Sequence, residues 1–356
     1  MVIRVDESIA EYAIYGGAFL GGGGGGDIET GLKIAKMAIE LGEVFISDAE
    51  NVSKDSYIAT ASVVGAPAAK EKYLLPMHMI RSAELFIRAL DGDIAGFISS
   101  ENGGTSTANG WIPAAVLGIP VIDAPADGRA HPTGVMGSMG LHKVKEYISL
   151  QVAVGGDKMV GRYVEVIARG SLDKVDKIVR EAAVQAGGMV AVTRNPLRPS
   201  YIKQNAAVGA LTKAIEIGRI IRKYWGDAEK ICMEVIKYLG GGNIVDIGVV
   251  ERKLLETRGG YDIGSILIKS KGESYEITFW NEYMTLENSM GKRLGAFPDL
   301  IVTIDVDSGK PLTSAEIIEG CKVLIVVIPK EYIPLGAGVK DPDILAQVEK
   351  VIGKKL

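Results

Sequence analysis

Apolar residues recur along this chain with two different periods, and the switches between them outline its elements. Over residues 28–41, Ile28, Leu32, Ala35 and Ile39 form one stripe, while Glu29, Lys33, Lys36 and Glu40 face away. That 3.6-residue period predicts an amphipathic helix, and Asp27 stands just before it as an N-cap. Residues 7–16 also read as helical. Short continuous apolar runs at 44–46 and 57–64 predict buried strands, followed by a helix over 79–90, a strand over 94–99, a short helix over 111–117 and a strand over 120–123. Strands alternating with helices in this way predict an α/β fold, with a mostly parallel N-terminal sheet covered by helices on both faces.

The pattern changes after residue 149. Segments 150–154 and 163–168 read as paired strands around Gly155-Gly156-Asp157, followed by a helix over 172–186, a strand over 189–193 and two helices near 201–223 and 227–239. From about 240 to 330 the chain is β-rich. Segments 263–268 and 275–279 flank Lys271-Gly272 as a hairpin, and 300–306 and 323–328 read as further strands. Thr313-Ser314-Ala315-Glu316 has the form of a capping box opening one or two helical turns. The expected organisation is an N-terminal α/β domain over 1–165 and an α+β domain over 166–356, with no linker marking the division.

Composition narrows the class. Of 356 residues, 47% are hydrophobic and 24% charged, with net charge −4, which gives no footing for a nucleic-acid or membrane-surface partner. The opening MVIRVDESIA carries Asp6 and Glu7 where a secretion signal needs an apolar core, and the run from Val323 to Ile328 is far short of a membrane span. A cytoplasmic protein is expected, with Cys232 and Cys321 as two buried thiols rather than a disulfide.

Six consecutive glycines, Gly21 to Gly26, run into Asp27 and the helix start. Glycine reaches positive φ and lets backbone N–H groups approach a ligand. A helix N-terminus adds unpaired donors and partial positive charge. The run, Gly23, Gly24, Gly25 and Gly26 above all, is therefore read as a wall for an anion or developing oxyanion, with Asp27 beside it. It is not a P-loop, because Leu32 stands where the lysine is required, nor a dinucleotide fingerprint, because no strand precedes it. A flexible linker is the plain alternative, but such linkers mix in serine and lie between domains.

Two carboxylates end predicted strands: Glu101, followed by Asn102-Gly103-Gly104, and Asp123, followed by Asp127-Gly128-Arg129. Ligands of open α/β sheets bind beyond the carboxyl ends of the strands. Either Glu101 or Asp123 could serve as a general base, tuned by the other and by Arg129. The bland reading of each is a turn former or helix cap. Asn109, Glu71 and Glu282 are further candidates, each with a capping or structural alternative. The three histidines, His78, His131 and His142, form no local metal motif. No cofactor is called for, and a divalent metal such as zinc would draw on Asp123 and His131.

Taken in order, several segments resemble the S-methyl-thiohydantoin desulfurase family, long catalogued as a domain of unknown function associated with hydantoinases. They are Gly17-Ala18-Phe19-Leu20-Gly21 through Asp27, Gly65-Ala66-Pro67 with Glu71, Glu101-Asn102-Gly103-Gly104, Asn109 to Pro113, Gly118 to Asp123, Gly128-Arg129-Ala130, Asn281-Glu282 and Pro298-Asp299-Leu300-Ile301. The chain departs from the family pattern at Thr105 to Ala108, which intervene before the asparagine, at His131, where an aromatic is usual, and at Thr133, where an acid is usual.

The resemblance implies hydrolysis of a five-membered thiohydantoin- or hydantoin-like ring, removing sulfur or methanethiol by carboxylate-assisted water attack. It implies Glu101 or Asp123 as base. Gly23 to Gly26, Asp27, Glu71, Gly103, Gly104, Asn109, Arg129 and Glu282 would hold the substrate. Two other readings stand beside it: a non-catalytic or regulatory subunit of a hydantoinase- or oxoprolinase-type enzyme, and a nucleotide- or anion-binding protein. The expected partners are a small-molecule substrate, such an enzyme, and further copies of the chain in a homo-oligomer.

Overall fold

The structure is a computed structural model that describes residues 2–65 and 69–356. Eight strands form the first sheet: β1 (Val2–Arg4), β2 (Phe45–Ser47), β3 (Tyr57–Gly65), β4 (Ile94–Ser99), β5 (Val121–Ile122), β6 (Ser149–Gly155), β7 (Val164–Gly170) and β8 (Met189–Leu197). Their order is β1-β2-β5-β4-β3-β8-β6-β7. The run β2-β5-β4-β3 is parallel, with antiparallel strands flanking it on both sides.

Helices α1 (Glu7–Leu20), α2 (Ile28–Leu41), α3 (Pro76–Ala89) and α4 (Trp111–Leu117) pack on one face, burying Ile14, Ala35, Phe86 and Trp111 against Ala59, Phe97 and Val152. Helix α5 (Leu172–Gln185) covers the other face, where Val179 and Ala182 meet Val190 and Val192. Strands of the parallel centre are apolar on both faces because helices cover both. Helix α5 and β8 therefore carry the first sheet's layers past residue 165.

The second sheet is antiparallel throughout. It comprises β9 (Asn243–Arg258), β10 (Tyr261–Lys269), β11 (Ser274–Trp280), β12 (Glu282–Asn288), β13 (Arg293–Ala296), β14 (Leu300–Asp305), β15 (Pro311–Leu312) and β16 (Lys322–Ile328), in the order β13-β12-β11-β10-β9-β16-β14-β15. Helices α6 (Pro199–Asn205), α7 (Ala210–Lys223), α8 (Ala228–Leu239) and α9 (Pro342–Ile352) complete the chain.

The sequence predicts one helix over 201–223, but α6 and α7 are separate. Residues 206–209 are tied to the loop after β5, through Ala207 N–H to Pro125 O at 2.9 Å and Gly209 N–H to Asp123 O at 2.9 Å. The Thr313–Glu316 capping box forms, with Thr313 N–H to Glu316 Oε2 at 3.0 Å and Glu316 N–H to Thr313 Oγ1 at 3.2 Å, but closes only a turn. Both cysteines are free thiols. Cys232 is buried, whereas Cys321, expected to be buried, is partly exposed.

Helices α1 and α7 join the two halves. They touch backbone to backbone because Gly16 and Gly218 lack side chains: a Cβ on Gly16 would overlap Ala214 O, and one on Gly218 would overlap Tyr12 O. Helix α1 ends with Phe19 and Leu20 buried in the second core among Ile217, Phe297 and Leu300. The glycine run thus begins at the seam between the two sheets.

Candidate functional site

The loops at the carboxyl ends of β4 and β5 lie against each other, as the topology of an open α/β sheet predicts. Ala126 N–H donates to Ser99 O at 2.9 Å and Asp127 N–H to Ser100 O at 3.1 Å. This carries His131 back over β4, where its backbone N–H donates to Glu101 Oε2 at 3.1 Å. The imidazole Nε2 lies 3.3 Å from Ser100 O and 3.4 Å from Glu101 Oε2.

The glycine run threads between these loops and β12. Four of its residues, Gly22, Gly23, Gly25 and Gly26, take φ between 55° and 85°, a region costly for any other residue. Its carbonyls are anchored on both sides. Gly25 O accepts from Thr105 N–H and Ser106 N–H, each at 2.9 Å, while Gly22 O accepts from Tyr283 N–H at 2.9 Å and Gly23 O from Ser314 N–H at 2.7 Å. A Cβ at Gly24 would overlap the Glu282 carboxylate, one at Gly25 would come 2.5 Å from Gly103 Cα, and one at Gly23 would come 2.6 Å from the Tyr283 ring. The run is a close-packed joint, and one N–H, that of Gly25, is directed at the Glu282 carboxylate.

Arg129 completes the seam. It is fully buried, with Nη2 donating to Tyr283 O at 3.2 Å, Nη1 to Asp299 O, Nε to Ala130 O at 3.3 Å, and its guanidinium 4.5 Å above the Phe297 ring. These contacts hold a loop of the first sheet onto β12 and the segment before β14.

Glu101 and Glu282, which come from opposite halves of the chain, lie close enough for the charge of Glu101 to act on the Glu282 carboxyl. Burial pushes the Glu101 carboxyl up to about 8, opposed by the His131 N–H and reinforced by Asp127. Burial raises Glu282 well above the usual carboxylate range, and the charge of Glu101 raises it further. Among the described residues its Oε2 has no hydrogen-bond partner. Asp127 is raised to about 7 by burial, against donation from Gly336 N–H at 2.8 Å and Gly128 N–H at 2.9 Å. Burial, then the charge of Arg194, lowers His131 to about 4, so the imidazole is neutral near pH 7. The arrangement offers two proton-holding carboxyls and a neutral imidazole beside two guanidiniums.

The other expected residues lie at different addresses. Asp27 caps α2, accepting from Thr30 N–H at 2.8 Å, while its carbonyl accepts from Thr105 Oγ1 at 2.9 Å. Gly103 and Gly104 pack on Gly25 and Gly26. Asp123 is buried, but its carboxylate caps α7, accepting from Leu211 N–H at 2.8 Å, Thr212 N–H at 3.2 Å and the Thr212 hydroxyl. Glu71 is exposed and paired with Arg162, and Ala66 and Pro67 beside it fall outside the described residues. Asn109 lines a cavity of about 10 Å³ with Ser82, Pro113 and Thr193. Among the described residues, no group of three or more His, Cys, Asp or Glu is arranged to hold a metal ion. No helix among them is long and apolar enough to cross a membrane.

Arg194 and its partner Asp176 join the cluster without having been singled out in the sequence. Arg194 Nη1 lies 3.4 Å from Asp176 Oδ1, and its charge acts on both Glu101 and His131. Its signal was a charged residue directly following the apolar run Met189-Val190-Ala191-Val192-Thr193, where a buried strand should carry none.

A crystal structure of a protein from Chromobacterium violaceum has the same fold, with a TM-score of 0.79 and 19% identity over 99% of this chain and 96% of that one. No curated protein matches the chain. Residues 10–161 match the S-Me-THD-like N-terminal domain and residues 171–333 the S-Me-THD-like C-terminal domain. The two matches fall on either side of the seam built by the glycine run, Arg129 and Glu282, and together they establish that this chain belongs to the S-Me-THD-like family.

Proposed function

We propose that this protein hydrolyses a five-membered thiohydantoin-like ring, releasing methanethiol or sulfide from the carbon between the two ring nitrogens. The observation carrying the proposal is the pairing of Glu101, a mostly buried carboxyl, with the buried Glu282, the proton affinity of both being raised by burial. Two such groups divide acid and base work between them. Glu101, at about 8, exchanges its proton near neutral pH and is the base; Glu282, held protonated, is the acid.

For an S-methyl substrate the steps balance. A water molecule adds its oxygen to the ring carbon and gives a proton to Glu101. The C–S bond then breaks, and the sulfur leaves as methanethiol with the proton of Glu282. The new C–OH gives its proton to the ring nitrogen that took the electron pair when water added, leaving the carbonyl and N–H of a hydantoin. The Glu101 proton returns to Glu282 through the products or solvent. Arg129 and the glycine run keep the two carboxyls opposed, since they fix β12 against the loops after β4 and β5. A carboxyl held within reach of the reacting atoms contributes ~10²–10⁴-fold to such a step.

Chromatographic turnover of an S-methyl-thiohydantoin, its thiohydantoin and the parent hydantoin tests the reading. The first two should yield hydantoin, and the rate constant should fall at least ~100-fold in both Glu101→Gln and Glu282→Gln. Equal rates in wild type and both variants would overturn it.

A further inference from the structure

We propose that the tip of the β9–β10 hairpin is a gate over the Glu282 side of the site, with Tyr261 as the plug that swings away for a ring to enter. What passes the gate rests on the hydrolytic reading above; the gate itself rests on how the hairpin is held.

The tip is attached to little of its own sheet. Strand β9 pairs with β16 as far as Val249, and β10 pairs with β11 from Ile263 onward. Residues 257–262 therefore pair with each other, Thr257 with Asp262 and Arg258 with Tyr261, around a turn of Gly259 (φ 60°) and Gly260 (φ 79°). Leu254 and Leu255, leading into that turn, stand exposed. A two-stranded ribbon is marginal by itself, so the tip depends on what it touches.

It touches both halves of the chain. Tyr261 packs edge-on against Trp280, with ring centroids 5.2 Å apart, and the guanidinium of Arg180 on α5 lies 4.6 Å above the Tyr261 ring. Beside it, Asp262 O accepts from Asn281 N–H at 2.7 Å, and Asp262 N–H donates to Asn281 Oδ1 at 2.9 Å. The tip thus bridges α5 and the turn between β11 and β12. One ring pair, one cation over a ring and two hydrogen bonds can release without unfolding either sheet.

Both anchor points lead to the site. On α5, Asp176 stands one helical turn before Arg180, so the two share a face. Asp176 meets Arg194, and a Cβ on Gly134, in the loop that carries His131, would overlap the Asp176 carboxylate. On the other side, Trp280 is the cross-strand partner of Glu282. Both are buried, and among the described residues Trp280 Nε1 and Glu282 Oε2 have no hydrogen-bond partner. Cross-strand partners lie side by side, and buried polar groups are ordinarily satisfied. An open N–H donor next to an open carboxyl is what a ring with N–H and C=O edges would complete once Tyr261 moves aside.

A reversible lock on the full chain tests this. Arg180→Cys and Gly260→Cys, in a Cys321→Ser background, place two thiols across the closed gate, since a Cβ on Gly260 would lie 3.8 Å from the Arg180 Nη1 that is replaced. The remaining Cys232 is buried. A bis-maleimide with a disulfide in its spacer joins the pair, and a reductant cuts it. Opening is read from hydrogen exchange of the Trp280 indole N–H by NMR, and entry from turnover of an S-methyl-thiohydantoin. Linking should slow both at least ~10-fold, and cutting the spacer should restore both. A linked protein that keeps either its exchange or its turnover would overturn the gate. Arg180→Ala carries the test without the linker: losing the cation over Tyr261 should speed the exchange about two- to fivefold, and an unchanged rate would count against the proposal. Exchange slowed by linking, with no turnover in any form, would sink the hydrolytic reading and leave the gate standing.

Discussion

Replacing Glu101 by glutamine should stabilise the protein, and by an amount that depends on pH in a stated way. The Glu101 carboxyl sits at about 8 in the folded protein against an ordinary value of 4.5. Below pH 4.5 the group is neutral in folded and unfolded chains alike, so it contributes no difference. Between 4.5 and about 8 the unfolded chain ionises while the folded chain holds its proton. Each pH unit in that window costs the fold roughly 1.4 kcal/mol, and the cost levels off above it at about 5 kcal/mol. Glutamine keeps the acceptor for the His131 N–H and has no charge to lose. Thermal midpoints of wild type and Glu101→Gln, measured at whole pH steps from 5 to 9, give the difference directly. The variant should gain steadily up to pH 8 and then hold an advantage on the order of 5–10 °C. A difference that stays flat across the series would refute the burial argument for Glu101, because only an ionisation can make it grow.

Three further substitutions probe other parts of the seam. His131 is depressed to about 4 from 6.5, so the stability it lends is intact above 6.5 and lost as pH falls through 4; His131→Phe should flatten that acid limb in a midpoint-versus-pH series, and an unchanged limb would contradict the assignment. Asp123→Asn should weaken the α7 cap by about 1–2 kcal/mol in thermal unfolding yet leave kcat/KM within roughly threefold, whereas a hundredfold loss would restore Asp123 as a base. Gly24→Ala should cost about 1–3 kcal/mol by overlap with Glu282. Gly272→Ala, whose Cβ meets nothing within 4 Å, should be silent in the same melt.

What was legible in the sequence is what local periodicity encodes. Ile28 to Leu41, Ile94 to Ser99 and Trp111 to Leu117 fold as their patterns predict, because each buries one coherent face or a continuous apolar run. Strand β9 has no apolar pattern to mark it, because its second half, Glu251 to Arg258, carries five charged residues among eight and stays largely exposed. The break between α6 and α7 also escaped, since it depends on Asp123 and Pro125, about 80 residues earlier, gripping the intervening segment.

The site divides the same way. Glu101, Arg129 and the glycine run could be marked from loop chemistry at strand ends, and the structure brings them together with Glu282. Asp123 carries the same local signal as Glu101, yet the helix that takes up its oxygens lies far along the chain. Arg194 gave only the faint signal of a charge beside an apolar run, and its partners Asp176, Glu101 and His131 come from three separate segments. Charge pairing across sheets is a property of topology, which no local window contains.

The most direct test of the central claim is a single-turnover reaction of an S-methyl-thiohydantoin in ¹⁸O-water, followed by mass spectrometry of the ring product and thiol titration. Water attack assisted by Glu101 predicts one heavy oxygen in each hydantoin, one methanethiol per ring, and loss of both signals together in Glu101→Gln. A product without heavy oxygen, or a Glu101→Gln protein that forms it at the wild-type rate, would contradict the account.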